Sequence, residues 1–316
     1  MEEQGAARER GRRRTDRPVS HVVRYESDGK TRIGVLAAGV VRPVPGVTSM
    51  AGLLGRDLAG ARAAIEQASD GAAVPVGDVR LLPPVDGLTE VWASGVTYER
   101  SMDARVEESQ VQDVYSRVYA ADRPELFFKS VAWRVVTDGE LIAGRPDSAL
   151  TVPEPELAAV VTATGEILGY TVCDDVSSRD IEGENPLYLP QAKVYAGSCA
   201  LATGIRPSWE VPDPAALGIE CRVTRAGETV FSGETSTARM RRSVPDLVGH
   251  LLAAQDFPAG AVLSTGTGIV PELDFTLLDG DIVEVTVEEV GTLTNPVGTL
   301  AAARAASALR VPAAAS

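Results

Sequence analysis

The stretch Val152-Pro153-Glu154-Pro155-Glu156-Leu157 decides how the rest of the chain is interpreted. In a β-strand the side chains repeat every two residues, so Glu154 and Glu156 are expected on the same face. The two prolines keep the segment extended and disfavour a helix, which would rotate the carboxylates apart. The sequence therefore predicts a strand with two neighbouring carboxylates. A solvated strand face without a ligand is the alternative that this spacing leaves open.

A second predicted strand follows closely, over residues 167–172, and ends at Cys173-Asp174-Asp175. Thr164-Gly165 between the two strands is typical of a hairpin turn. Such a hairpin brings Asp174 or Asp175 level with the glutamate pair. Three carboxylates at one point repel one another unless a cation or a proton lies among them. A site made only of oxygen atoms suits Mg²⁺, Mn²⁺ or Ca²⁺ rather than zinc.

The residues after this hairpin carry a resemblance to a known family. Asp175-Val176-Ser177-Ser178-Arg179-Asp180 is followed, about a dozen residues later, by Lys193. Together with the Glu-x-Glu strand, this pattern strongly resembles the fumarylacetoacetate hydrolase superfamily over about residues 86–300. The resemblance implies that Glu154, Glu156 and Asp175 are metal ligands, with Asp174 as their neighbour.

The resemblance also implies an architecture and a cofactor. The expected fold class is α+β and mainly β, with a catalytic domain built on a rolled mixed β-sheet and assembled as a homodimer. Mg²⁺ or Mn²⁺ is the expected cofactor, with Ca²⁺ as a substitute in crystals. The expected organisation is a disordered Arg-rich tail (1–20), a small N-terminal domain (21–85), the catalytic domain (86–300) and an Ala-rich tail (301–316).

Further site residues are predicted from the same comparison. Substrates of such enzymes carry a 2-oxo acid or 1,3-diketone unit, and a divalent ion that chelates the carboxylate and the 2-oxo group stabilises an enolate. Lys193 is the candidate that moves the proton. The apolar run before Lys129 predicts a buried strand that ends at this lysine, and a lysine in an apolar strand needs a partner. Lys129 is therefore expected to assist through its charge, with a side chain that reaches solvent as the alternative. Arg179 is expected either to bind the substrate carboxylate or to orient Asp175. The backbone N–H groups around Gly266-Thr267 are expected to hold the substrate carboxylate, with a plain tight turn as the alternative.

One departure from the family pattern concerns water activation. Many hydrolytic or decarboxylating members carry a histidine in a mobile lid, which corresponds here to residues 99–119. Alignment of Val96-Thr97-Tyr98 with the family strand places Ser101 at that position, and no histidine occurs between His21 and His250. Glu107 and Glu108 remain as carboxylates that the lid could bring to the metal. The sequence therefore gives little support to a hydrolytic His–Glu pair.

The run from Glu182 to Lys193 and the lead-in at residues 96–99 look most like the sugar-acid branch of the family, which includes 2-dehydro-3-deoxy-D-arabinonate dehydratase. The predicted function is therefore a divalent-metal-dependent lyase, a dehydratase that acts on a 2-oxo-3-deoxy sugar acid through a metal-bound enolate. One alternative is a C–C hydrolase, decarboxylase or isomerase of acylpyruvate- or fumarylacetoacetate-type 2-oxo acids. The other is a metal-dependent binding protein without turnover.

Amino-acid composition narrows the classes of binding partner and of metal site that the chain can have. A net charge of −14 argues against nucleic acids and anionic membranes. No apolar run approaches the length of a membrane span, so we expect a cytoplasmic protein whose partner is a small-molecule 2-oxo acid. Three cysteines without metal-type spacing are expected to be buried free thiols. With only two histidines, a zinc site of several histidines is excluded.

Overall fold

The computed structural model describes residues 19–70, 73–108 and 112–308. Within these residues the strands are β1 (Ser20–Ser27), β2 (Lys30–Ala37), β3 (Val40–Pro43), β4 (Val74–Pro75), β5 (Arg80–Leu82), β6 (Glu90–Gly95), β7 (Glu125–Val131), β8 (Ile142–Ala143), β9 (Thr151–Val152), β10 (Pro155–Val161), β11 (Ile167–Asp175), β12 (Ser177–Ser178), β13 (Cys199–Leu201), β14 (Gly204–Pro207), β15 (Gly218–Arg225), β16 (Glu228–Ser236), β17 (Ala261–Ser264), β18 (Ile282–Val287) and β19 (Gly291–Gly298). The α-helices are α1 (Met50–Leu54), α2 (Leu58–Glu66), α3 (Glu99–Glu108), α4 (Gln112–Ala120), α5 (Arg179–Glu184), α6 (Leu189–Lys193), α7 (Val244–Leu252) and α8 (Leu300–Ala308).

The strands form a large sheet, a smaller sheet and one short pair. The large sheet has twelve strands, with the order β4-β3-β2-β1-β14-β11-β10-β17-β6-β7 and with β13 beside β11 and β5 beside β1. The smaller sheet has five strands in the order β16-β15-β18-β19-β8, and β9 pairs with β12. Most pairs are antiparallel, but β17 with β6 and β19 with β8 are parallel. The fold is therefore α+β, mainly β, with mixed sheets, as predicted.

The central strand β10 is buried on both faces. Leu157, Ala159 and Val161 belong to the cluster shared with the smaller sheet and α7. Ala158 and Val160 belong to the cluster on the opposite face, which includes α1 and α2. This alternation follows from the two-residue repeat of a strand, and it explains why β10 is apolar without interruption after Glu156.

The hairpin predicted from the sequence is confirmed. β10 and β11 are antiparallel neighbours. In the turn between them Gly165 has a φ of +85° and donates its N–H to Thr162 O at 3.0 Å. Glycine suits this position because the left-handed region carries no steric penalty without a Cβ.

The N-terminal strands join the large sheet, and a helix stands near the C-terminal end of the chain. β1 pairs with β14, so the strands of the N-terminal part continue the large sheet, and a domain boundary near residue 85 stays a prediction. The Ala-rich segment predicted as a tail begins with α8, in which Ala303 is buried. Residues 309–316 and the Arg-rich residues 1–18 lie outside the described residues.

None of the helices that the structure describes has the length and apolar composition needed to span a membrane.

Candidate active site

Three buried carboxylates meet where β10 begins and β11 ends. Asp174 is the register partner of Pro155, and Asp175 N–H donates to Glu154 O at 3.0 Å. This pairing places carboxylate oxygens of Glu154, Glu156 and Asp175 within 4.8 Å of one another. All three side chains are almost completely buried. The structure thus brings together the three residues predicted as metal ligands.

Glu156 is held by the turn that follows β17. Its Oε2 accepts a hydrogen bond from Ser264 Oγ at 2.5 Å and another from Gly266 N–H at 2.7 Å. The Gly266 N–H predicted to bind a substrate carboxylate is therefore engaged by Glu156, because β17 lies directly beside β10. Thr267 Oγ1 accepts from Ile269 N–H at 3.1 Å. Gly266 and Thr267 still line the cleft described below.

Two lysines neutralise the carboxylates from different sides. Lys193 Nζ lies 2.6 Å from Glu154 Oε2 and 3.3 Å from Asp175 Oδ2. Lys129 Nζ lies 2.5 Å from Asp175 Oδ1 and also donates to Val176 O at 3.0 Å and to Lys193 O at 2.7 Å. These three acceptors use all three N–H groups of the Lys129 ammonium.

The lysines differ in their access to substrate. Lys193 lines the cleft, whereas Lys129 is fully buried and is not part of the cleft wall. Lys129 was predicted at the end of its strand, and it instead lies inside β7, facing Asp175. Its position suits the predicted role of a fixed charge, and the position of Lys193 suits proton transfer.

The pKa values of the buried acids shift in opposite directions, because only Asp175 has both lysines beside it. Burial, together with the charges of Asp175 and Glu154, raises the pKa of Glu156 well above its usual value. Burial raises the pKa of Asp174 to about 7. Burial opposes ionisation of Asp175 as well, but Lys129 and Lys193 hold its pKa below the usual value. A divalent cation would relieve this crowding of buried carboxylates, and oxygen is the ligand that Mg²⁺ prefers. The donor set therefore fits a hard divalent ion.

The carboxylates open into a cleft. Its other charged lining residues are Glu125, Arg179, Glu182 and Lys193. Phe127, Ile269 and Pro271 contribute apolar surface. A concave site in which charged groups converge beside apolar side chains is typical of a small-molecule site.

Arg179 and Glu182 lie one helical turn apart on α5, and both are buried. Arg179 Nη1 donates to Pro271 O and, at 3.4 Å, to Glu272 O. Glu182 Oε2 accepts from Ser177 Oγ at 2.7 Å. Arg179 is thus anchored to the backbone of Pro271 and Glu272, and its role of binding the substrate carboxylate or orienting Asp175 stays a prediction.

Glu125 and Glu182 were missed as site residues, although the sequence holds a signal for each. Glu125, Phe127 and Lys129 alternate along β7, so a strand places all three on one face. That face points to the site, because Glu125 and Phe127 line the cleft and Lys129 contacts Asp175. Glu182 follows Arg179 at i+3, a spacing that puts both on one face of a helix.

The lid position carries no histidine. Ser101, on the first turns of α3, lines the cleft; its Oγ donates to Tyr98 O at 2.7 Å and accepts from Tyr98 N–H at 3.2 Å. Both histidines of the chain are described: His21 contacts Val290 O at 2.7 Å, His250 lies on α7, and neither lines the cleft. The side chains of Glu107 and Glu108, predicted as alternative lid carboxylates, lie outside the described residues.

Lys129→Met is expected to destabilise the protein rather than to affect chemistry alone. Removing one partner of a buried ion pair costs about 3–5 kcal/mol of unfolding free energy, because the remaining charge stays buried. Asp175 would lose its 2.5 Å partner, and two backbone carbonyl groups would lose their donor. Urea unfolding measures this loss, with the exposed Lys30→Met as the control. Equal stability of the two variants would contradict the fixed-charge role.

The chain is similar in sequence to one protein family and to known dehydratases. Residues 90–298 match the family described as fumarylacetoacetate (FAA) hydrolase, C-terminal. The chain is 46% identical over 226 residues to 2-dehydro-3-deoxy-D-arabinonate dehydratase of Saccharolobus solfataricus, which covers 70% of this chain and 76% of the relative. It is 49% identical over 217 residues to a probable 2-keto-3-deoxyxylonate dehydratase of Haloferax volcanii, with coverages of 69% and 74%.

A solved structure with the same fold carries ligands. It is 2-keto-3-deoxy-D-arabinonate dehydratase complexed with magnesium and 2,5-dioxopentanoate. Its TM-score is 0.74 at 36% sequence identity, and the match covers 88% of this chain and 98% of that chain.

Proposed function

Because the chain belongs to the fumarylacetoacetate hydrolase family, we propose that it is a divalent-metal-dependent dehydratase that removes water from a 2-oxo-3-deoxy sugar acid. The observation that carries the proposal is that Glu154, Glu156 and Asp175 share one cleft with Lys193 in a chain 46% identical to such a dehydratase. The arrangement of these residues and the similarity to known dehydratases together support dehydration over hydrolysis, decarboxylation, isomerisation or binding without turnover.

Glu154, Glu156 and Asp175 would hold the cation, and the magnesium complex of a similar structure supports Mg²⁺ as that cation. These three carboxylates would leave part of the cation's coordination shell to water and substrate. A bound Mg²⁺ supplies a Lewis acid that polarises the 2-oxo group and favours loss of the neighbouring C3 proton. Mn²⁺ suits the same oxygen ligands and would substitute for it.

The chain's own residues supply proton transfer. Lys193 Nζ lies at the cleft wall beside two of the candidate ligands. Once a bound cation balances the charge of these carboxylates, Lys193 would lose its ammonium proton to solvent and, as the neutral amine, would take the C3 proton. The electrons of the C3–H bond form the C3–C4 double bond as the C4–O bond breaks, and the hydroxyl leaves as water once it has gained a proton. Glu125, which lines the same cleft, would give that proton from its protonated carboxyl group.

The cleft offers less support for hydrolysis. A C–C hydrolase must position one water and remove its proton, and no histidine is present in the described lining for that purpose. Ser101 occupies the position of the family histidine, with its hydroxyl bonded to the Tyr98 backbone. Phe127, Ile269 and Pro271 add apolar surface to the wall, which helps to keep bulk water from a reactive intermediate.

We also propose that the protein acts as a homodimer in the cytoplasm. Three buried free cysteines suit a reducing compartment. β16 is a nine-residue edge strand with Val230 exposed, an edge that a second copy can cover. Light scattering that gives the mass of one 33.2 kDa chain would contradict the dimer.

The function is tested by mass analysis after incubation with Mg²⁺ and a panel of 2-oxo acids. We expect a 2-oxo-3-deoxypentonate to lose one water molecule and the reaction to stop after exhaustive dialysis against EDTA. Gain of water by an acylpyruvate would instead identify a hydrolase, and unchanged mass with a shifted absorption spectrum an isomerase. Binding without any change would identify a binding protein.

A further inference from the structure

Two turns face each other at the cleft wall, and each contains a residue in the left-handed backbone region. One is the turn after β6, where Val96 has a φ of +54°. The other is the turn after β17, where Gly266 has a φ of +91°. The left-handed region is unfavourable for a β-branched residue, so the surrounding structure must hold Val96 there. Such strained residues cluster at functional sites, and both turns line the cleft.

Thr97 connects the two turns. Its side chain is buried, and Oγ1 donates to Thr265 O at 2.7 Å. A Cβ at position 266 would overlap Thr97 Oγ1 and would lie 2.9 Å from Ser94 O. The hydroxyl of Thr97 therefore occupies the space directly behind Gly266, and only a glycine allows this close approach.

The opposite side of the Gly266 turn holds a candidate metal ligand. Gly266 N–H donates to Glu156 Oε2 at 2.7 Å. Thr265 N–H and Oγ1 both donate to Leu157 O, at 3.1 and 2.8 Å. The position of this turn thus sets where the Glu156 carboxylate lies.

Thr97 is itself held from outside the cleft. Its carbonyl oxygen accepts from Arg241 N–H at 2.9 Å. The next residue, Tyr98, forms a β-bridge with Met240. Because the backbone of Thr97 is fixed in this way, its hydroxyl provides a rigid support for Thr265 and Gly266.

We propose that Thr97 is a positioning residue of the metal centre. It touches neither the cation nor the substrate; its hydroxyl holds the 264–266 turn so that Gly266 N–H stays on Glu156. This inference deepens the proposed function, because it assumes that Glu156 is a metal ligand. Loss of one neutral hydrogen bond of about 1 kcal/mol corresponds to about a fivefold loss of affinity.

The test is calorimetric titration of the full chain with Mg²⁺ and with Mn²⁺, without substrate. Thr97→Val keeps the shape of the side chain and removes the donor, and we expect cation affinity to fall about fivefold to tenfold. Thr97→Ser keeps the hydroxyl and should remain within about twofold of wild type. Thr97→Ala is titrated in the same way should the valine variant not fold, with the same expected loss.

The chain offers a matched control in Thr137. Its hydroxyl is also buried and also donates to a backbone carbonyl oxygen, Leu201 O, at 2.7 Å, but Thr137 does not line the cleft. Thr137→Val should lower the melting temperature as Thr97→Val does and leave cation affinity within about twofold of wild type. An equal loss of affinity in both variants would make Thr97 merely structural and overturn the proposal.

The remaining outcomes separate this inference from the proposed function. Unchanged affinity in a folded Thr97→Val protein overturns the positioning role alone. A wild type that binds neither cation overturns both the positioning role and the metal-dependent function. A wild type that binds the cation but acts on no 2-oxo-3-deoxy acid overturns the reaction and leaves the role of Thr97 in place.

Discussion

Glu156→Gln is expected to lower kcat/KM by at least about a thousandfold while the protein stays folded. A glutamine oxygen can still accept the hydrogen bonds that Ser264 Oγ and Gly266 N–H give to Glu156 Oε2. The local geometry is therefore retained, but one negative charge of the three needed for the cation is lost. Calorimetric titration should show the matching loss of Mg²⁺ binding. Full activity of this variant, or of wild type dialysed against EDTA, would contradict the metal site.

In the metal-free protein, Glu156→Gln is expected to be more stable than wild type, and the difference in unfolding free energy should grow as pH rises. Burial and the charges of Asp175 and Glu154 raise the pKa of Glu156 in the folded state. Above the unfolded pKa of about 4.3 the unfolded chain releases this proton first, so wild type loses stability with rising pH. Glutamine carries no such cost. Urea unfolding in EDTA should therefore favour Glu156→Gln more at pH 8 than at pH 5, with the exposed Glu220→Gln as the control.

Lys193→Met is expected to lower kcat about a thousandfold, while the protein still binds the cation. Methionine is unbranched and apolar, so it can fill the position of the lysine stem while it removes the amine. Asp175 keeps its partner Lys129 at 2.5 Å. Cation affinity should stay equal or increase, because one positive charge beside Glu154 and Asp175 is gone.

Rate and binding measurements on this variant separate two roles of Lys193. A proton carrier predicts lost kcat with retained Mg²⁺ binding, whereas a residue that only holds the carboxylates predicts the loss of both. The exposed Lys30→Met is the control and should behave as wild type. If Lys193→Met keeps its turnover, Lys193 is not the base and another group in the cleft takes the proton.

Composition supports the special role of the two site lysines. The chain has 30 basic residues, of which only Lys30, Lys129 and Lys193 are lysine. Two of these three lie at the buried carboxylates. Arginine remains charged under all ordinary conditions, whereas a lysine amine can give up its proton when buried. A chain whose basic residues are nearly all arginine thus has a lysine at position 193, where proton transfer is proposed.

The sequence predicted the parts of the site that depend on local structure. Glu154, Glu156 and Asp175 are joined by one hairpin. The two-residue repeat and the Thr-Gly turn predicted that Asp174 or Asp175 lies level with the glutamates, and the resemblance to the family selected Asp175. Lys129 was found because a lysine in an apolar strand needs a partner, which is Asp175.

The parts that depend on distant strands were not predictable in this way. Glu156 is bonded by Ser264 and Gly266, more than 100 residues later, because β17 lies beside β10. The support from Thr97 requires β6 to lie next to β17 in parallel. Nothing in the local sequence records which strands are neighbours, so it shows neither that Gly266 N–H binds Glu156 nor that Thr97 contacts this turn.

The most direct test of the proposed function compares wild-type kcat/KM on two substrates in the presence of Mg²⁺. One is a 2-oxo-3-deoxypentonate, which has a leaving hydroxyl at C4, and the other is an acylpyruvate, which requires an activated water. A site with Lys193 and Glu125 but without a histidine predicts that the pentonate is favoured by at least about a hundredfold. An acylpyruvate favoured by about a hundredfold would contradict the dehydratase and point to a lid carboxylate as the base for water.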